Sequence, residues 1–340
     1  MAATVTPHKL RLIGTEETFS TPAYIDAYMK LAERDKSTGV QYVRLLLQHN
    51  AKWLTDLDYR LSEMDQSGVD MHLLSLNAPG VQVFEPEEGS RLASVVNDEI
   101  ASLIQKYPER LCGLATVAPQ DPVGAVKEID RAMGQLGLNG IIINSHTQGD
   151  FLDDPKFFPI LEAAVRNRAA IYLHPQLPPD SMIKPFEKYA MEGAIWGFAA
   201  EASLHAVRMI LGGVFDRFPD LQIVLGHMGE GLPYWLFRLD QVYRLLTRLK
   251  SPAILPLRRL PSEYVKSNFY ITTSGMFWNP VLKFCVETLG VDRVMFSIDF
   301  PFERCQEAAE FMRNAPLSDE EKRKIAHENA QKLFRIKTPW

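Results

Sequence analysis

Cysteine is scarce in this chain. The three present, Cys112, Cys285 and Cys305, fall in no CxxC-like spacing, so they read as reduced thiols of a cytoplasmic protein rather than a disulfide framework. No segment approaches the roughly 18 consecutive apolar residues of a membrane span. The opening MAATVTPHK lacks the apolar core of a secretory signal. Lys and Arg form no cluster with interleaved aromatics, and the net charge is −5, which argues against a nucleic-acid or anionic-membrane partner. Internal repeats, low-complexity tracts and a linker demanding a second domain are also missing.

What is present is an ordinary globular composition, 46% hydrophobic and 23% charged over 340 residues. Eight short apolar runs recur along it: LRLIG (10–14), MHLLSLN (71–77), LCGLATV (111–117), GIIIN (140–144), AIYLH (170–174), QIVLGH (222–227), FYITTS (269–274) and VMFSID (294–299). Near-continuous apolar runs fit strands buried on both faces of a parallel sheet. Amphipathic stretches between them, such as DPVGAVKEIDRAMGQLG, end near Gly, Arg or Pro as helices do. Strands alternating with helices predict a (β/α)8 TIM barrel as a single domain over 1–340, with a doubly wound sheet as the alternative. Residues 23–54 read as a helical insertion after the first strand, and 176–200, rich in Pro and Gly, as a long loop over the barrel mouth.

Barrel active sites lie at the C-terminal ends of the strands. There the first run leads to Glu16, the fifth ends in His174, the sixth in His227 and the eighth in Asp299. Each has an ordinary reading alone: a strand-end glutamate caps a helix, and a histidine in YLHP bonds a core carbonyl. Together they form a ligand set for a divalent metal such as Zn²⁺ or Mn²⁺. In LGHMGE, two glycines let backbone approach a ligand closely, and Glu230 can meet His227. His8, His49, His72, His205 and His327 have no partner pattern and read as structural or surface residues. An aromatic rim of Phe19, Phe277, Trp278, Phe300 and Phe302 leans toward a flat ring as ligand.

The strings LIGTEETFSTP, VAPQDP, NSHTQG, YLHPQLPPDSM, GVFDRFPDLQIVLGHMGEGLPYWLFRLD and FSIDFPFE carry a resemblance. The chain resembles the amidohydrolase superfamily, and within it the nonoxidative aromatic-acid decarboxylases of the 5-carboxyvanillate and γ-resorcylate type. The resemblance implies one divalent metal, manganese or zinc, held by Glu16, His174 and Asp299, with no organic cofactor. It implies Asp299 as proton donor to the ring carbon, with His227 and Glu230 as alternative donor or relay. Arg238 is implied as a carboxylate contact, Arg44 as a match to an arginine that relatives reach across from a neighbouring subunit, and Phe302 as a further substrate contact, while His146, in the loop after the fourth strand, is placed either to touch substrate or to make a local loop hydrogen bond. Phe302 stands where carboxyvanillate enzymes tend to carry tyrosine, so the hydroxybenzoate class is better defined than its member. A homodimer or homotetramer is implied as well. The competing readings are a metal-dependent hydrolase or hydratase on the same barrel, acting on a lactone or amide, and a barrel that binds without catalysis.

Overall fold

The computed structural model describes residues 10–338; His8 and the rest of the opening segment lie outside the described residues. Eight parallel strands follow one another in chain order: β1 (Ile13–Thr18), β2 (Met71–Ser75), β3 (Leu111–Thr116), β4 (Gly140–Asn144), β5 (Ile171–His174), β6 (Ile223–Leu225), β7 (Phe269–Thr272) and β8 (Val294–Met295). Each pairs with its chain neighbour, so the strand order never reverses and the doubly wound alternative falls. Every strand residue is buried. Side chains facing inward, among them Ile13, Leu73, Leu114, Ile142, Tyr172, Val224 and Met295, fill the barrel, and those facing outward pack beneath helices.

Three helices separate the first two strands: α1 (Pro22–Arg34), α2 (Thr38–Thr55) and α3 (Leu57–Ser67). The Thr21 hydroxyl accepts from the Tyr24 N–H at the start of α1, and Asp56 accepts from Tyr59 N–H at the start of α3. Then follow α4 (Pro86–Lys106), α5 (Pro122–Arg131), α6 (Phe158–Arg166), α7 (Asp180–Glu187), α8 (Gly197–Leu211), α9 (Val214–Arg217) and α10 (Leu232–Arg248). The chain continues through α11 (Pro261–Asn268), α12 (Asn279–Leu289), α13 (Cys305–Asn314), α14 (Asp319–Arg323) and α15 (Asn329–Phe334). The 176–200 segment, a loop on the sequence reading, therefore carries α7 and the start of α8. No helix among the described residues is long and apolar enough to cross a membrane.

The two ends of the barrel series differ from the sequence reading. The apolar run over 10–14 predicts a first strand that ends in Glu16; β1 instead runs Ile13–Thr18, so both carboxylates lie inside it. Gly14 pairs with His72 and Glu17 with Leu74, which leaves one extra residue on β1 between these pairs. This bulge resets the alternation. Glu16 consequently faces the barrel interior and Glu17 the outside. At the other end β8 keeps only two ladder residues, and its continuation is bonded differently. Among the described residues no ladder joins β8 to β1. The seam is closed by Thr18 N–H to Phe300 O at 2.8 Å and by Thr15 Oγ1 to Phe296 O at 2.9 Å.

Candidate active site

Four side chains from β1, β5 and the ends of β6 and β8 meet at the top of the barrel. Glu16 Oε1 lies 3.3 Å from His174 Nε2 and 3.9 Å from His227 Nε2. His227 Nε2 stands 3.5 Å from Asp299 Oδ2, and one ligand atom from each of Glu16, His227 and Asp299 falls within 4.8 Å of the others. Separations near 3 to 4 Å are what donors about 2.1 Å from one ion would show. Glu16 Oε1 is buried and has no hydrogen-bond partner of its own. A buried, unpaired carboxylate oxygen among imidazoles suits a divalent cation, because leaving it uncompensated is costly. The donor set thus fits a metal ion, and His227 stands within it, beyond the three ligands expected.

The second oxygen of Glu16 is held from below. The Tyr172 hydroxyl donates to Glu16 Oε2 and lies 3.0 Å from Thr272 Oγ1. Sequence reasoning missed Tyr172, although it precedes His174 by two and so shares its strand face. Gly226 leaves room for this carboxylate, since a Cβ there would stand 2.7 Å from Glu16 Oε2. Burial, with Asp299 nearby, pushes the Glu16 carboxyl up to about 7 against the opposing pull of His227.

His227 Nδ1 donates to Glu230 Oε1 at 2.6 Å, which points Nε2 at the two other carboxylates. Burial alone would lower this imidazole, but Glu230, Glu16 and Asp299 together hold it well above its ordinary range. Burial pushes His174 down to about 4, leaving it neutral. The His227–Glu230 pair depends on an unusual turn: His227 (φ 48°), Met228 (56°), Gly229 (78°), Glu230 (54°) and Gly231 (77°) are all left-handed. Asp299 is left-handed too, at φ 81°. Strained backbone of this kind collects where side chains must be aimed.

Above the cluster opens a cavity of about 1180 Å³ whose lining includes His174, His227 and Asp299. Its apolar wall is built by Tyr28, Val43, Leu46, Leu177, Phe198 and Phe302. Of the expected aromatic rim, Phe302 alone lines this cavity: Phe19 is in the core, Phe277 packs against Phe311, Trp278 points to solvent, and Phe300 lies beneath Arg60. His146 lines the cavity, but its ring is held by its loop, Nε2 donating to Leu177 O at 3.0 Å and Nδ1 accepting from Gly149 N–H at 3.1 Å. Arg44 bonds Gln41 on its own helix, 3.2 Å away, and is outside the cavity wall. Arg238 is exposed on α10 and is likewise outside it.

Known proteins resemble the chain in both sequence and fold. A sequence family described as Amidohydrolase matches residues 48–336. A γ-resorcylate decarboxylase of Polaromonas sp. strain JS666 is 35% identical, the match covering 82% of this chain and 87% of that protein. The structure of 5-carboxyvanillate decarboxylase LigW from Sphingomonas paucimobilis is similar at 43% identity and a TM-score of 0.93, covering 97% of this chain and all 100% of that one. A 5-carboxyvanillate decarboxylase from Novosphingobium aromaticivorans, complexed with manganese and 4-hydroxy-3-methoxy-5-nitrobenzoic acid, is 39% identical with a TM-score of 0.93, covering 96% of each chain.

Proposed function

The chain belongs to the amidohydrolase family, and from that premise we propose that it is a metal-dependent, nonoxidative decarboxylase of a hydroxybenzoate-type acid, a carbon–carbon lyase. The observation that carries this is the Glu16, His174, His227 and Asp299 cluster at the floor of a cavity wide enough for a flat ring. Glu16, His174 and Asp299 would hold the ion, which leaves His227 Nε2 for the proton. Manganese is favoured over zinc because relatives carry it. When bound, the ion acts as a Lewis acid for the phenolate and carboxylate oxygens of the substrate.

The protein's own residues supply the proton. CO₂ leaves an aromatic ring only after the carbon bearing it has been protonated, and the electron pair of the broken bond then restores the ring. Asp299, at the cavity floor, delivers that proton. His227, anchored by Glu230 and 3.5 Å from Asp299, relays a proton to it or donates directly. Tyr172 keeps Glu16 facing the cluster. Val43, Leu46 and Phe302 offer apolar surface to the ring. Arg44, Arg238 and His146 are proposed as substrate contacts. The two arginines require a side-chain rotation or a second copy of the chain to reach the cavity. Assembly as a homodimer or homotetramer in the cytoplasm completes the reading.

The test is a CO₂-release assay on manganese-loaded protein with 5-carboxyvanillate, γ-resorcylate, 2,3-dihydroxybenzoate and salicylate, beside a small lactone panel. One hydroxybenzoate is expected to turn over, and Asp299→Asn to lower kcat by about 10³ or more. His174→Asn should lose the metal. His227→Asn should retain it while kcat falls about 10²- to 10⁴-fold. Lactone hydrolysis with every benzoate untouched would overturn the proposal in favour of a hydrolase.

A further inference from the structure

Glu17 stands beside Glu16 but points out of the barrel, into a place where water does not reach. Its carboxylate is fully engaged by the segment that follows β8. Oε1 accepts the Ile298 N–H at 3.1 Å and the Ser297 hydroxyl at 3.3 Å; Oε2 accepts the Phe300 N–H at 3.0 Å. The two N–H groups belong to Ile298 and Phe300, the residues on either side of Asp299. Gly14, in the bulge of β1, has no side chain, and a Cβ there would overlap Glu17 Oε1. The opposing charge comes from Arg60 of α3, buried as well. Its guanidinium donates to Thr18 O and to His72 Nδ1 and lies 4.6 Å from the centre of the Phe300 ring. Bulge, glycine, carboxylate and arginine therefore converge on three consecutive residues, Ile298 to Phe300.

The middle one of those residues adopts φ 81°, a left-handed conformation uncommon outside glycine, though aspartate takes it more readily than most residues. The N–H groups of Ile298 and Phe300 both reach Glu17, while the Asp299 carboxylate turns to His227 and the cavity. A single carboxylate with two oxygens matches that pair of donors. We propose that Glu17 is a positioning residue for the reaction: it clamps the backbone on both sides of Asp299 and so fixes the angle at which Asp299 enters the metal cluster. The proposal rests on the reading that Asp299 serves the metal and the proton. The two TEET glutamates thus take separate roles. Glu16 works inside the barrel, and Glu17 orients its partner across the seam.

Glu17→Gln tests this. In either orientation the amide sets an N–H₂ donor against a backbone N–H, so at least one bond of the clamp is lost. Mn²⁺ affinity, read by electron paramagnetic resonance of the free ion, is expected to fall roughly 10- to 100-fold, with kcat reduced alongside and the circular dichroism of the parent kept. A variant that melts earlier but binds Mn²⁺ and turns over like the parent would overturn the proposal, because that is what a merely structural carboxylate would give. Should Glu17→Gln not fold, Ser297→Ala, which removes one donor to Oε1, decides: affinity lowered about 3-fold supports the clamp and parental affinity refutes it. A parent that binds Mn²⁺ yet decarboxylates no benzoate would sink the functional reading and leave the affinity comparison valid. A parent that binds no Mn²⁺ would remove both.

Discussion

His205 and His72 are buried without charge, and in each case a neighbour's hydrogen bond requires it. His205 Nε2 accepts the Leu152 N–H at 2.8 Å, so its proton is on Nδ1, which donates to Ser145 Oγ at 2.9 Å; that hydroxyl then donates to Glu201 Oε1 at 2.6 Å. Arg60 donates to His72 Nδ1 at 3.2 Å. Burial pushes His205 down to about 3, helped by His146 and Arg208, and holds His72 well below the ordinary range, helped by Arg60 and Arg110. Below about pH 6.5 an unfolded histidine takes up a proton that the folded one refuses, so stability declines as pH falls through that value. Each residue should cost about 1.4 kcal/mol between about pH 7.5 and about pH 5.5. Urea unfolding of the metal-free protein at both pH values measures this, and His205→Asn should shrink the difference by about one such contribution. An unchanged difference would contradict the assignment. Sequence alone showed Glu16, His174, His227 and Asp299 because strand ends collect chemistry. It left Tyr172, Glu17 and Glu201 unread, because their work depends on a partner far along the chain or on another element's backbone.

Elements end here where something other than the ladder takes over the backbone. β4 runs over 140–144 as its apolar residues predict, its ladder holding to Asn144, where the Gln82 and Gln176 side chains take up the backbone groups. The apolar run of β8 predicts a strand to 299, but Phe296 N–H goes to Ile325 O, Ser297 N–H to Thr273 Oγ1, and the N–H groups of Ile298 and Phe300 to Glu17. An apolar run reports burial, and it is silent about which acceptor each N–H finds. The bulge of β1 was equally illegible, because nothing in LRLIGTEET marks where an extra residue enters. After β6 the left-handed turn from His227 to Gly231 sets a sharper constraint. Gly229 has φ 78°, and a Cβ there would lie 2.8 Å from Ile271 Cγ2. Gly229→Ala should therefore cost about 1–2 kcal/mol from backbone strain alone. Because the same turn aims His227, kcat should fall as well. Thermal melts beside steady-state assays check both, and a destabilised variant with parental kcat would separate the turn's stability from its aim.

For the molecule as a whole, the α10 face bearing Tyr234, Trp235 and Phe237 is exposed, Phe237 to 78%, in a chain whose other large apolar residues are mostly buried. Contiguous exposed aromatics mark association surfaces. Phe237→Asp is expected to lower the mass seen by light scattering from that of an oligomer toward 38.5 kDa, and a parent already at that mass would refute the assembly. Among the described residues, no Lys or Arg lines the cavity. A carboxylate ligand there must be neutralised by His227, by the ion or by a residue brought from elsewhere. The seam between β8 and β1 has one more consequence. The cluster joins Glu16 to Asp299, so a ribosome must release the chain as far as Asp299 before a full binding centre exists. Nascent chains halted after β5 or β6 would hold only part of a centre, with Glu16 lacking Asp299. Metal capture would then act as a late signature of completed synthesis, and truncated products would be left apo and open to proteolysis.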